Sequence, residues 1–402
     1  MRLKFIQFRY KGQAEYYQEC AGEYNAMEKT PRAITNEYID PGIDLMSIKR
    51  SGLKELFITA SPNANRELSP LINRLARNLQ EQDAKVVKMD LFGTDDAFIE
   101  CTNSMERQFG QINWPVTYID GDTRLGEKAA GLQIHAVSGV PVETIYHNDH
   151  PIGCMFEDEF ARYCILGNIH PNNISTSQEE QARQTFENME KGLKLAGMGM
   201  GNIVRTWFFN RNILDWYREF NSVRSTFYRE KGLFDGLLPA STGIGGNNPA
   251  HAAIIASAIA MQAKKDNVTV TEVPSPLQCP ASSYGSSFSR AVKVSVPDHT
   301  RVFVSGTASI EPGGKTVHAG NLDAQIAVTL EVVERILESL GMSYSDVTRA
   351  NAYFKHTKDA PAFKKYCEEY GLPAPRVVVA RNDICRDELL FEIEVDAISM
   401  AQ

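Results

Sequence analysis

Hydrophobic residues recur at helical spacing within each third of the chain. The stripe in the last third consists of Ile326, Leu330, Val333, Leu337 and Leu340. Intervals of four and three residues place such a set on one helical face, so the pattern predicts an amphipathic helix over residues 324–341. Comparable patterns predict helices at 68–79 and 186–197.

The elements around these helices follow one order in all three thirds. A β-rich strand precedes the helix, and a second strand, a second helix, a turn containing proline and a closing strand come after it. The three turn prolines, Pro115, Pro239 and Pro375, lie 124 and 136 residues apart. The chain therefore repeats one structural unit three times.

A mixed sheet with two helices on one face leaves its other face uncovered, and three such sheets can bury their free faces against one another. We therefore predict an α+β fold of three tandem sheet-plus-two-helix units that form an intramolecular pseudo-trimer. The predicted repeats span 1–140, 141–265 and 266–402. The first is the most degenerate, with an insertion or lid at about 10–50.

The composition limits which partners and sites the chain is expected to have. Its 402 residues carry a formal charge of −8, which argues against nucleic acid and acidic membranes but allows a local basic cleft. Seven scattered cysteines without a C-x-x-C pair argue against disulfides and structural zinc. Because there is no signal-peptide pattern and no apolar run of membrane-spanning length, we expect a cytoplasmic protein.

Comparing the three repeats singles out two residues of the last one. Aligned on a shared alanine near the end of the closing strand, Glu392 falls opposite Gly131 and Ala253, and Arg376 also lacks an arginine counterpart. A strand glutamate most often faces water, and Glu392 and Glu394 share one face. In the three-sheet arrangement, however, that face turns toward the other repeats, where a carboxyl group is partly desolvated and suited to proton transfer.

Several short motifs in the last third resemble the RidA (YjgF) family. These are "SSFSRAVKV", "VFVSGTASI", "PAPRVVVA" and "LLFEIEVDAI", which recur in the family's order. RidA proteins are homotrimers with sites at the clefts between subunits. The resemblance therefore implies RidA-like (chorismate-mutase-like) units and one chain that holds a fused trimer.

A narrower resemblance is to chorismatases, tandem RidA-like enzymes that hydrolyse chorismate and release pyruvate. It is carried by "LPASTGIGG" (238–246), "YGSSFSRA" (284–291) and "SGTASI…TVHAGNLDAQ" (305–325), and covers roughly residues 155–400. It implies a hydrolase acting on chorismate or a related enol ether carboxylate, without a metal or organic cofactor. The segment "STGIGGNN" (241–248) is expected to be either a loop or a cleft wall.

The resemblance implies roles for individual residues. Arg376 is expected to bind a substrate carboxylate and Glu392 to move a proton, so both are candidate catalytic residues. The candidate substrate-binding residues are Arg386, Arg290, Tyr284, Cys385 and Arg162. Cys385 resembles a cysteine of the 3-hydroxybenzoate-forming branch, although it also fits a small buried residue.

Two other functions stay open at this point. One is a RidA-type enamine or imine deaminase, which is disfavoured because Phe288 replaces the tyrosine common in RidA sites. The other is a member of the superfamily that binds a small ligand or a protein without turnover. The expected partner is a small carboxylate rather than nucleic acid or a membrane, and self-association beyond the monomeric pseudo-trimer is left open.

Overall fold

The computed structural model describes residues 34–40, 42–50, 52–62, 68–121, 128–370 and 376–401, except the side chains of residues 37–40 and 284. Within these ranges the chain forms three six-stranded mixed sheets with the same strand order. The predicted α+β fold of three tandem units in a pseudo-trimer is confirmed. The sheets span 34–138, 143–263 and 269–400, and the finer repeat boundaries stay a prediction.

The strands of each sheet follow one pattern. Sheet one contains β1 Ile34–Asp40, β2 Ile43–Arg50, β3 Leu53–Ala60, β4 Lys85–Gly93, β5 Val116–Asp120 and β6 Ala129–Ser138. Sheet two contains β7 Glu143–His147, β8 His150–Glu157, β9 Ala161–Ile169, β10 Ile203–Asn210, β11 Ala240–Gly245 and β12 Ile254–Ala263. Sheet three contains β13 Thr269–Val273, β14 Ala291–Val296, β15 His299–Ala308, β16 Val347–Phe354, β17 Val377–Arg381 and β18 Phe391–Met400. The orders are β1-β2-β3-β6-β4-β5, β7-β8-β9-β12-β10-β11 and β13-β14-β15-β18-β16-β17.

Two helices accompany each sheet. They are α1 Leu68–Glu81, α2 Asp95–Phe109, α3 Gln178–Leu195, α4 Ile213–Glu230, α5 Leu322–Glu338 and α6 Ala360–Tyr370. Side-chain caps start the long helices: Ser177 Oγ accepts from Glu180 N (3.2 Å), and Asn321 Oδ1 accepts from Ala324 N (3.1 Å). The predicted stripe of α5 packs against sheet three. Among the described helices, none is long and apolar enough to cross a lipid bilayer.

The segment predicted as an insertion contains a regular part of the first repeat. Residues 34–50 form β1 and β2, which hold the same places in sheet one as β7–β8 and β13–β14 hold in the other sheets. The expected insertion at about 10–50 is therefore wrong for 34–50. Nearly every residue of β2 is buried, and a strand buried on both faces lacks the alternation of apolar and polar residues that marks a strand in a sequence. Residues 1–33 and the landmark Pro375 lie outside the described residues.

The three repeats pack in a cyclic order. The edge strand β5 of repeat one contacts β9 of repeat two, β11 of repeat two contacts β15 of repeat three, and β17 of repeat three contacts β3 and β6 of repeat one. The edge strand that precedes the closing strand in the chain therefore packs on the following repeat. Each junction between repeats consequently combines an edge strand of one repeat with inner strands of the next.

Three cations meet where the sheets come together. Lys88, Arg205 and Arg349 each follow a bulge at the same point of β4, β10 and β16. Their charged groups lie 4.6, 4.6 and 5.0 Å from the centre of the Trp207 ring, within the range of cation–π attraction. Carboxylates neutralise them: Lys88 pairs with Asp90, and the two arginines pair with Glu394 and Asp396. We call these seven residues the central cluster.

Candidate active site

An open cleft lies between repeats two and three. One face of α4 and strand β11 form one side, and β15, β18 and the segments before β14 and β18 form the other. Its volume is about 1270 Å³, including the open mouth. The cleft is lined by Tyr217, Arg218, Asn221, Ser222, Arg224, Ser225, Ser241, Gly243, Gly285, Ser286, Phe288, Arg290, Gly306, Ala308, Ile310, Cys385, Arg386 and Glu392.

Glu392 is the carboxyl group among these lining residues. It lies on β18 between Ala308 of β15 and Tyr353 of β16, and only 4% of its surface is exposed. Burial, together with the nearby charge of Glu394, raises the pKa of Glu392 to about 8, although Arg205 acts in the opposite direction. The carboxyl group therefore keeps its proton at neutral pH and can act as a general acid.

The strand registers show which residues replace Glu392 in the other repeats. Counted from the bulge near the start of β4, β10 and β16, the positions equivalent to Glu392 hold Gly131 and Ile255. The sequence alignment with Gly131 is confirmed, whereas the alignment with Ala253 is wrong by two residues. Glu392 still has no counterpart with a carboxyl group in the other repeats, because the equivalent positions hold glycine and isoleucine.

Gly306 on β15 makes room for the carboxyl group. A Cβ atom at this position would overlap Oε1 of Glu392 and lie 3.2 Å from Cγ2 of Thr242. The backbone N–H of Gly306 donates to Oγ1 of Thr242 on β11 at 3.1 Å. The "SGT" motif thus brings β15, β11 and Glu392 into direct contact.

Arg224 brings a buried positive charge into the cleft from α4. It is 2% exposed, and its guanidinium donates to Asn221 Oδ1 at 2.5 Å and to Ser241 Oγ at 3.4 Å. Its Cζ lies 5.8 Å from the centre of the Phe288 ring. Both hydrogen-bond partners are neutral, and no carboxylate among the described residues forms an ion pair with Arg224, so this guanidinium is suited to bind an anion in the cleft.

Two predicted arginines of repeat three lie in the same cleft. Arg290 Nε donates to the carbonyl oxygen of Cys279 at 2.9 Å, and its Cζ lies 5.7 Å from the Phe288 ring centre. Arg386 Nη1 donates to the carbonyl oxygen of Gly314 at 2.8 Å. Backbone carbonyls therefore orient both guanidinium groups, and the cleft combines several arginines with one protonated carboxyl group.

Cys385 and Tyr217 meet across the cleft from different repeats. Burial and the nearby Glu392 raise the pKa of the Cys385 thiol to about 12, while a hydrogen bond with Tyr217 acts in the other direction. The pKa of Tyr217 is also raised, chiefly by burial. Both groups are neutral at physiological pH, so Cys385 shapes the cleft as a thiol rather than as a thiolate nucleophile.

A break in α4 directs its cleft-facing side chains. Trp216 has non-helical angles (φ −147°, ψ 17°), and its indole Nε1 donates to the carbonyl oxygen of Arg211 at 2.9 Å. The regular helix then resumes at Tyr217. From there, intervals of four and three residues place Tyr217, Asn221 and Arg224 on one face, toward repeat three.

The structure does not bring Arg376 to Glu392. Arg376 Nε lies 2.8 Å from Asp44 Oδ1 of repeat one, and Nη1 donates to the carbonyl oxygen of Val347 at 2.9 Å. It precedes β17, the edge strand that packs on repeat one rather than on repeat two. The expectation that Arg376 binds the substrate carboxylate at the site of Glu392 is therefore wrong.

Two further predicted residues do not contribute to the described cleft. Arg162 binds within repeat two, where it donates to Gln262 Oε1 at 3.1 Å and to the carbonyl oxygen of Ala196 at 3.3 Å. Since it is absent from the lining of the cleft, the expectation that it reaches the substrate is wrong in this geometry. The side chain of Tyr284 lies outside the described residues.

Sequence reasoning missed the contribution of α4. Tyr217 and Arg224 lie in "ILDWYREFNSVRSTFYREKG", a stretch whose pattern predicts only the second helix of its repeat. The available signal was a polar stripe at Tyr217, Asn221 and Arg224 on a helix that also has an apolar face. By contrast, "STGIGGNN" does supply a cleft wall through Ser241 and Gly243.

Comparison with known proteins agrees with this architecture. The family model described as Endoribonuclease L-PSP matches residues 167–264 and 282–399, together more than half of the chain. The chain belongs to the Endoribonuclease L-PSP family. A solved chorismatase, whose structure has a TM-score of 0.60 and 21% sequence identity, covers 78% of this chain and 92% of its own, which supports the same fold.

Curated relatives of this Endoribonuclease L-PSP family member include chorismatases. A chorismatase of Streptomyces rapamycinicus is 33% identical over 220 residues, which is 49% of this chain and 64% of the relative. A 3-hydroxybenzoate synthase of Streptomyces hygroscopicus is 27% identical over 272 residues, 60% of this chain and 75% of the relative. The resemblance to RidA proteins and chorismatases is thereby confirmed, and the chain spans just under two thirds of the first relative.

Proposed function

We propose that the cleft hydrolyses the enolpyruvyl ether of chorismate, or of a closely related carboxylate, and releases pyruvate. The observation that carries the proposal is Glu392, a buried carboxyl group with a pKa of about 8 among the arginines of the cleft. Such a group is a proton donor at neutral pH, and the arginines suit an anionic substrate. The relatives named chorismatase and 3-hydroxybenzoate synthase support the same substrate class.

The reaction needs only a proton, a water molecule and binding groups. Glu392 donates its proton to the methylene carbon of the enolpyruvyl group, which leaves an oxocarbenium carbon next to the ether oxygen. Water adds to that carbon and returns a proton to the Glu392 carboxylate. The hemiketal then breaks its bond to the ring oxygen, which takes up the hydroxyl proton as pyruvate leaves.

Arg224, Arg290 and Arg386 serve as the carboxylate-binding groups in this proposal. A guanidinium meets a carboxylate through two parallel hydrogen bonds, and chorismate carries two carboxylates. Two of the arginines lie near the Phe288 ring, so an aromatic face accompanies the charges. Such a cleft suits a flat ring with acidic substituents.

Arg224→Gln and Arg376→Gln form a matched pair that tests these assignments. Loss of a charged hydrogen bond to substrate is expected to lower kcat/KM by on the order of tenfold or more in Arg224→Gln, mainly through KM. Arg376→Gln should keep kcat/KM within about threefold of the unsubstituted protein, because Arg376 binds Asp44 instead. A larger loss in Arg376→Gln than in Arg224→Gln would contradict the geometry.

The pH dependence of kcat/KM is expected to follow the protonation of Glu392. Its pKa of about 8 means that the acid form predominates below that pH and is lost above it. We therefore expect kcat/KM to be level below about pH 8 and to fall roughly tenfold per pH unit above it. Initial rates in buffers from pH 6 to 10, with protein stability checked by circular dichroism, provide the measurement.

Incubation with chorismate tests the proposal as a whole. Pyruvate is followed with lactate dehydrogenase, and the ring product is separated by chromatography into 3-hydroxybenzoate or a dihydroxycyclohexadiene carboxylate. Turnover of chorismate that depends on Glu392 supports the proposal. No pyruvate above background, together with ammonia release from an enamine substrate, would favour a RidA-type deaminase instead.

We also infer that a single chain suffices for activity, since both sides of the cleft come from repeats of the same chain. A small carboxylate is then the only partner that the reaction requires. Activity per chain should be independent of protein concentration, which dilution assays combined with size-exclusion chromatography measure.

A further inference from the structure

Glu394 of the central cluster lies on the same face of β18 as Glu392, two residues further along the strand. Its side chain is fully buried and accepts three hydrogen bonds: from Arg205 Nη2 at 2.8 Å, Arg349 Nη2 at 2.7 Å and Asn351 Nδ2 at 2.7 Å. Arg205 belongs to repeat two, whereas Arg349 and Asn351 belong to repeat three. This carboxylate therefore joins the two repeats directly behind the cleft.

Two hydrogen bonds and one packing contact connect this ion pair to Glu392. The same Arg205 Nη2 also donates to Thr242 Oγ1 at 2.8 Å, and Thr242 Oγ1 accepts from the backbone N–H of Gly306 at 3.1 Å. Gly306 in turn packs against the carboxyl group of Glu392. Thr242 is 1% exposed, so water does not compete for these bonds.

We infer that Glu394 is a positioning residue for the reaction: with Arg205 and Thr242 of repeat two it fixes the place of Glu392 and keeps a negative charge beside it. The inference rests on the proposed function for its link to catalysis. Thr242, Arg205 and Glu394 are not among the residues that line the cleft, so they act on the substrate only through Glu392 and Gly306.

The two carboxyl groups have opposite charge states for physical reasons. The charges of Arg349 and Arg205, together with hydrogen bonds, hold the pKa of Glu394 at about 2 despite its burial. Its fixed charge then opposes ionisation of Glu392, to which no side chain or backbone N–H of the described ranges donates a comparable set of hydrogen bonds. Other charged or titratable groups around Glu392 are Arg205 on β10, Tyr217, Arg218 and Arg224 on α4, Arg290 before β14, Tyr353 on β16, and Cys385 and Arg386 before β18.

Glu394→Gln and Asp396→Asn separate this role from a merely structural one. Both substitutions remove a carboxylate that binds Arg349, but Asp396 lies two residues further from Glu392 on β18. The probe is the side-chain ¹³C signal of Glu392 in protein labelled at glutamate, which is assigned by its disappearance in Glu392→Gln. Its titration midpoint is followed without substrate, so this measurement holds even when chorismate is not turned over.

We expect the midpoint of Glu392 to fall by about one pH unit or more in Glu394→Gln, and by no more than about a third of that shift in Asp396→Asn. The alkaline limb of kcat/KM should move to lower pH by the same amount. An unchanged midpoint in Glu394→Gln, or equal shifts in both variants, would overturn the inference. A shifted midpoint without any chorismate turnover would overturn the proposed function alone.

Thr242 provides a second measurement for the case in which Glu394→Gln does not fold. Thr242→Val keeps the shape but removes the hydroxyl group that serves Arg205 and Gly306, whereas Thr242→Ser retains it. Thr242 also forms a side-chain hydrogen bond with Glu394. Loss of that bond in Thr242→Val leaves the charge of Glu394 less well dispersed, so the titration midpoint of Glu392 should rise by about half a pH unit, whereas it should stay unchanged in Thr242→Ser. The same midpoint in both variants would contradict the path through Thr242.

Discussion

Glu392→Gln is expected to lower the rate of pyruvate release from chorismate by roughly 10²- to 10⁴-fold, the usual contribution of a general acid. The amide has the shape of the protonated carboxyl group but has no acidic proton for the enolpyruvyl methylene. Most of the loss should appear in kcat, because the arginines that bind carboxylates are untouched. Stopped assays at pH 7 with saturating chorismate measure it.

The same substitution should leave the fold intact. Glu392 is protonated at pH 7, so glutamine removes no charge from the buried site. Glu388→Gln, on the exposed loop four residues earlier, is the control and should retain full activity. Pyruvate release in Glu392→Gln at the level of this control would remove Glu392 from the mechanism, provided that both variants have the same thermal midpoint.

Gly306→Ala is expected to reduce kcat by about a hundredfold while the protein stays folded. The added Cβ would overlap Oε1 of Glu392, so the carboxyl group has to leave its present position. A displacement of about 1 Å at a reacting group can cost a hundredfold in rate. Because Gly306 is not among the glycines with positive φ, alanine brings no backbone strain of its own.

Gly201→Ala is the matched control for this prediction. Gly201 has no atom within 4 Å of the position of an added Cβ and also lacks a positive φ. It should keep the rate and the thermal midpoint of the unsubstituted protein. Normal kcat in Gly306→Ala would show that the carboxyl group acts from another position, whereas loss of the folded state would show that Gly306 serves the fold.

The sequence was sufficient to predict the three repeats, because stripes such as the one along α5 depend on local spacing alone. The residue-by-residue alignment of the three repeats was harder to predict. In β12 the alanines at positions 256, 258 and 260 alternate with larger residues, so a shift by two residues preserves the pattern. Only the backbone pairing of β10 with β12 identifies Ile255 rather than Ala253 as the equivalent of Glu392.

The sequence predicts a residue of the candidate site only where a comparison of the repeats is enough to single that residue out. Glu392 stood out because its counterparts lack a carboxyl group, and that comparison needs no knowledge of packing. Arg376 was misplaced because β17 packs on repeat one, a consequence of the cyclic order that no single repeat reveals. Arg224 was missed because its importance depends on which repeat faces α4.

The cyclic order has a consequence for how such a chain can change over time. In an assembly of three identical subunits, every substitution appears in all three clefts at once, so a gain at one site is tied to the same change at the others. Here one position equivalent to Glu392 holds Gly131, where an added Cβ would lie 3.0 Å from Cγ2 of Val378. The other holds Ile255, which belongs to the apolar core. Covalent linkage lets these two positions serve packing while the third is shaped for chemistry, so the backbone repeats more strictly than the side chains do.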